Sequence, residues 1–151
     1  MSANVANEHL AQAVASLCAA IRIEAPPPDA NGRYVIPFDE GMELRCFALG
    51  GRNVLEGVVR PLPEDRLAEE TLLRKLLAAA LGKASDRAET LHLDEESREI
   101  RLHRRLPQDM VPGADFVRAV EQFLNELEFW RRHAAEGSQP GRISTPMGLR
   151  P

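Results

Sequence analysis

Lysine is nearly missing from this chain: Lys75 and Lys83 are its only two, among 19 basic residues in 151. Cysteine is as scarce. Cys18 and Cys46 are far apart and each falls on an expected apolar face, so they read as reduced, buried small hydrophobes of a cytoplasmic protein and not as a disulfide framework. No run of about 18 apolar residues exists to span a bilayer, and the opening MSANVANEHL lacks the basic and apolar regions of a signal peptide. Neither export nor a membrane span is expected. One tryptophan, one tyrosine and five phenylalanines leave few rings for stacking on bases, and a net charge of −4 argues against general nucleic-acid binding. The local cluster Arg98, Arg101, His103, Arg104 and Arg105 reads as a solvated strand face, not a phosphate site.

Catalytic signatures are missing too. His9, His92, His103 and His133 are scattered, no Cys or His pair has metal-ligand spacing, and no phosphate-binding or dinucleotide-binding glycine motif or nucleophile elbow occurs. His92 and His103 can face each other across a hairpin, but as a solvated pair. Asp94, Glu95 and Glu96 are adjacent carboxylates in an open turn, which offers no burial to separate their pKa values into acid and base roles. No catalytic residue, cofactor or metal is therefore expected.

What the chain has is patterning, at 44% hydrophobic and 28% charged content, the make-up of one globular domain. Leu10, Val14, Leu17, Cys18 and Ile21 repeat on one face of a helix over about Asn7 to Arg22, with Asn7 as its N-cap. The prolines at 26, 27 and 28 end it. Tyr34 to Phe38 and Met42 to Leu49 alternate as strands, and Pro37, which has no amide to donate, places the first at a sheet edge. Gly50-Gly51 turns the chain into a third strand, Asn53 to Leu62, completing an antiparallel meander. A hairpin follows later, Thr90 to Leu93 and back through Ile100 and Leu102. The last helix runs from about Asp115, a candidate N-cap, to His133 on the stripe Phe116, Val120, Phe123, Leu124, Leu127 and Trp130, leaving Phe129 as a lone exposed ring. Residues 1–134 read as one domain, and 135–151 as a disordered tail.

Between meander and hairpin lies the stretch that sets the problem, Leu67 to Gly82. At about 100° per residue, Leu72, Leu76, Ala80, Leu73, Leu77 and Leu81 spread over an arc of roughly 180°, where a surface helix needs a stripe of about 100°. The excess needs a second surface. One flank is expected on the chain's own sheet and the other on a second copy.

The fold class is α+β: helix, three-stranded meander, helix, hairpin, helix. With Leu72-Leu73-Arg74-Lys75-Leu76-Leu77, Ala88-Glu89-Thr90-Leu91-His92-Leu93-Asp94-Glu95, Glu99-Ile100-Arg101-Leu102, Leu106-Pro107, Phe116, Phe123-Leu124-Asn125 and Trp130, it resembles the class I type III secretion chaperones, the Tir-chaperone-like family, over about Leu10 to Trp130. Family members often carry Asn after the middle Leu-Leu pair, where this chain has Ala78-Ala79-Ala80. The resemblance implies an α/β sandwich that forms a homodimer in the bacterial cytoplasm, without ATPase activity, and binds the N-terminal segment of an effector in extended form. The secretion ATPase is a further candidate partner.

The resemblance places the two-fold interface on Leu72, Leu73, Leu76, Leu77, Leu91 and Leu93. For the effector, Val14, Leu17, Val35, Ile36, Phe38, Phe47 and Val54 are the candidates, on the first helix and strands; alternation leaves open which of them face the core. Two other readings stay open: a small α+β enzyme or ligand-binding domain, and an adaptor outside secretion.

Overall fold

The computed structural model describes the backbone of residues 2–83, 88–110 and 112–136, with their side chains except those of residues 2–6 and 83. The elements are α1 (Ser2–Ala20), β1 (Tyr34–Pro37), β2 (Glu43–Leu49), β3 (Arg52–Pro61), α2 (Arg66–Lys83), β4 (Glu89–Asp94), β5 (Glu99–Arg105) and α3 (Ala114–Ala135), with a single 3-10 turn at Asp39–Gly41. The strands form one antiparallel sheet in the order β1-β2-β3-β5-β4. The strand with Pro37 is at the edge, where a missing amide donor costs nothing.

Gly50 and Gly51 both take positive φ, 59° and 79°, the primed turn whose twist suits two paired strands, and Leu49 pairs directly with Arg52. Alternation then sorts the strand residues onto two faces. Tyr34, Ile36, Leu44, Cys46, Leu55, Val59, Ile100 and Leu102 pack with all three helices into one core. The opposite face carries Val35, Arg45, Phe47, Val54, Glu56, Arg101 and His103, read from the registers Val35↔Arg45↔Glu56↔His103 and Phe47↔Val54↔Arg105. Burial pushes the Cys46 thiol up to about 12, with the nearby Cys18 adding to it, so both free cysteines stay protonated.

Several helix ends differ from expectation. α1 starts at Ser2, so Asn7 is a helical residue and no cap; an exposed Asn costs only a few tenths of a kcal/mol inside a helix, and no Pro or Gly upstream stops the helix there. It ends at Ala20, not Arg22, because Arg22 adopts φ 60° and the Ile23 amide folds back onto the Cys18 carbonyl at 2.9 Å. α3 is preceded by Gly113 at φ 125°, and Asp115 sits inside its first turn, where its charge still meets the positive helix end. The same helix continues through Ala135, which brings the domain one residue past the expected boundary; from residue 137 the expected tail lies outside the described residues. Phe129 is no lone ring. It stacks on His133, with centroids 5.8 Å apart and planes at 7°, and meets Trp130 edge-on.

β3 and α3 lie close together at Gly57. A Cβ there would lie 2.5 Å from Leu127 Cδ2, and Leu127 is fully buried, so its side chain must shift within a packed core. Gly57→Ala is expected to cost about 1–3 kcal/mol in urea denaturation, the scale of overpacking. The double variant Gly57→Ala/Leu127→Ala should lose less than the sum of the two single losses, because removing the leucine branch makes the room the new methyl needs.

Candidate functional site

α2 opens where Asp65 caps it, its Oδ2 accepting the Ala68 amide at 3.0 Å. The helix then divides its apolar arc. Leu72 and Leu76 are buried in the subunit's own core, Leu73, Ala79 and Ala80 are partly covered, and Leu77 and Leu81 are 61% and 71% exposed. The inner flank of α2 shares one core cluster with Ile100 and Leu102 of β5 and with α3, against which the helix also packs.

A trough of about 500 Å³ opens between α2 and β4. Leu73, Leu77 and Leu81 form one wall, Leu91 and Leu93 the other, and Trp130 closes the floor. Of the residues expected at a two-fold contact, Leu73, Leu77, Leu91 and Leu93 share this trough and Leu76 reaches it from below, whereas Leu72 belongs to the interior alone. Leu81 joins them, a residue the sequence placed on the arc but not in the interface. Full burial of one leucine is worth about 1.5–3 kcal/mol, so the exposed wall is a large unused contribution next to a total stability of about 5–15 kcal/mol.

The residues expected to hold an extended partner are dispersed. Val14, Leu17 and Ile36 point into the core and offer no surface, because the helical and strand periodicities that selected them are those of the buried side. Phe47 and Val54 are covered as well, on the far sheet face. Val35 and Phe38 remain partly exposed, on or just after the strand whose outer edge pairs with no other described strand.

The far face also holds a group that sequence reasoning missed. Glu56 is 2% exposed on a face that no described helix covers, because three side chains from the two neighbouring strands, β2 and β5, close over it: His103 Nε2 at 2.7 Å, Arg45 Nη1 at 3.2 Å and Arg101 Nη1 at 3.3 Å. Arg101 continues to Asp94 at 2.9 Å and Glu99 at 3.0 Å, and the His92 ring meets His103 edge-on at 4.0 Å. On the helix side of β5, Arg104 reaches Glu89 at 3.4 Å and Gln122 at 3.1 Å. The arginine-rich segment is therefore only in part the solvated face expected: Arg98 and Arg105 are exposed, whereas register with β3 and β4 gives Arg101 and Arg104 acidic partners. An outward Glu between Val54 and Val58 is visible in the sequence; its alignment with β5 is not.

Burial alone would push the Glu56 carboxyl up, but the hydrogen bond and charge of His103, with Arg101 and Arg45, outweigh it and hold the group below the ordinary carboxylate range. Burial, then His103 and Arg101, hold His92 below the usual histidine value against Glu56 and Asp94. At its centre the cluster is a structural brace, with Glu56 held by three partners.

Compared with known proteins, residues 12–131 match the family model described as Tir chaperone protein (CesT) family. The chain belongs to that family. A Chlamydia pneumoniae protein, CPj0713/CpB0740, is 30% identical to this Tir chaperone family member over 112 residues, which is 74% of this chain and 84% of the other. A chain from the crystal structure of the ExsC-ExsE complex superposes with TM-score 0.63 at 20% identity, covering 86% of this chain and 93% of its own. A chain from the HopA1-SchA chaperone-effector complex does so with TM-score 0.63 at 18% identity, covering 88% and 98%. At such identities the two structures speak for the fold, which is that of this family. No helix among the described residues is long and apolar enough to cross a membrane.

The brace has a pH signature. A carboxyl whose folded pKa lies below its unfolded value of about 4.3 contributes stability above that pH and loses it as pH falls through the folded value. Glu56→Gln is expected to lower stability at pH 7 by about 1–3 kcal/mol in urea melts, and the gap to the parent should close on acidification below about pH 4. A gap that stays constant down to that pH would remove Glu56 from the acid transition.

Proposed function

We propose that this chain works as a homodimeric chaperone of type III secretion in the bacterial cytoplasm, holding the N-terminal segment of an effector extended and secretion-competent. The single observation that carries the reading is the leucine trough on α2 and β4, an apolar wall that one subunit leaves uncovered. Paired about a two-fold axis, two such walls bury each other, and Leu73, Leu77, Leu81, Leu91 and Leu93 become the dimer core. Membership of the Tir chaperone family and the fold shared with a chain of a chaperone-effector complex support it.

The client's place in this reading is the other end of the sheet. β1 presents an edge that no other described strand pairs, where an extended peptide gains backbone hydrogen bonds with little demand on its sequence, while Val35 and Phe38 supply apolar contacts that select side chains. Pro37 removes one donor from that edge, which discourages a second copy from continuing the sheet there without blocking a short client strand. Because only the extended segment fits, binding biases it against folding by mass action. Catalysis has no part in this.

The test is co-purification from the native bacterium, followed by limited proteolysis and mass spectrometry of what stays bound. The expected result is a larger secreted protein retained through a protected fragment near its N-terminus, with retention reduced about tenfold or more by Val35→Asp/Phe38→Asp. Retention of no secreted protein, together with unchanged secretion in a strain lacking the chain, would overturn the proposal.

A further inference from the structure

The far sheet face ends, at the β2–β3 hairpin, in a basic patch that the brace does not use. Arg52 and Arg105 are exposed there and form no hydrogen bond or ion pair among the described residues, in contrast to Arg45 and Arg101 two rows away, which are engaged by Glu56. Register brings the two together: Arg105 is opposite Val54, and Arg52 precedes Val54 by two residues on the same face, a diagonal neighbour. A third guanidinium, that of Arg33, lies over the Phe47 ring at 4.9 Å, and Phe47 is itself opposite Val54. Asp29, near Arg33, has Oδ1 committed to the Asn31 and Arg33 amides at 2.8 and 2.9 Å. Leu49, directly across from Arg52, is 57% exposed and gives the patch one apolar foothold.

We propose that this patch is a docking site for an acidic polypeptide segment carrying a large apolar residue, separate from the α2 trough and the β1 edge. Charge complementarity selects that occupant. The chain carries 23 acidic residues against 19 basic, so three arginines gathered at one end of this sheet face are a local departure from an acidic whole. A second copy meeting this face about a two-fold axis would set arginine against arginine. Residues 137–151 contain Arg142 and Arg150 and no acidic residue, so the chain's own terminus has the wrong sign. A nucleic acid would run from the patch onto Asp94 and Glu99 at the other end of the sheet, whose charges repel a continuous polyanion, whereas a short acidic peptide ends before them.

Fluorescence anisotropy on the full chain tests this with three probes of equal length: a labelled Asp/Glu-rich dodecapeptide containing one leucine, its Asn/Gln counterpart, and a single-stranded DNA 12-mer. The acidic peptide should bind, weaken as salt is raised, and lose about tenfold or more in affinity with Arg52→Gln/Arg105→Gln, while Arg52→Lys/Arg105→Lys keeps most of it. Both positions are exposed, so melting by circular dichroism should be unchanged in either variant. Equal binding of the neutral peptide, an unaffected Gln variant, no binding of the acidic peptide at millimolar concentration, or tighter binding of the DNA would each overturn the proposal. None of these outcomes bears on the dimer or on the β1 edge, which can stand or fall alone.

Discussion

Leu77 and Leu81 face water because α2 carries a wider apolar arc than the rest of the subunit covers. The helix side of β2 and β3 is taken by α1 and α3, and α2 packs against α3 beside the end of the sheet that β5 and β4 form. Its inner leucines, Leu72 and Leu76, complete the core; its outer ones cannot. The trough beside Trp130 is the space this arrangement leaves open, and leucines make up most of its exposed lining.

The opposite face of the sheet solves a different problem. It has no described helix to cover it, so burial there comes from long polar side chains closing over one another. Glu56 is desolvated at the centre and compensated by two arginines and a histidine contributed by β2 and β5. Those partners lie on strands that are distant in sequence, so the cluster ties the meander to the hairpin in a single register. A one-residue slip of β5 would turn Arg101 and His103 toward the apolar core and strand Glu56 unpaired. The face is thus largely self-satisfied at its middle, whereas at the hairpin end the side chains of Arg52 and Arg105 meet no such acid among the described residues.

Much of this was legible in the residues. The width of the α2 arc, the edge position of the strand with Pro37, the Gly50-Gly51 turn and the order of elements follow from local rules, and local rules act on neighbours in sequence. Two kinds of information did not follow. Periodicity finds a face but not its orientation, which is why Val14, Leu17 and Ile36, which are core, stand among the partner-binding candidates with their orientation open. Non-local register is invisible as well: nothing in the segment around Arg101 says that it will be opposite Val58 and within reach of Glu56, so a buried ion-pair cluster looked like a solvated one. The stacking of Phe129 on His133 was readable in principle, since the two are four apart on one helix and so are neighbours on its surface.

Sedimentation equilibrium of the purified chain at micromolar concentration, run beside Leu77→Glu, tests the central claim most directly. The native chain should sediment at twice its mass of 16.7 kDa, and the variant at that mass with its fold retained. A compact native particle of 16.7 kDa, or a variant that stays a dimer, would show that the leucine wall of α2 is not what joins two subunits.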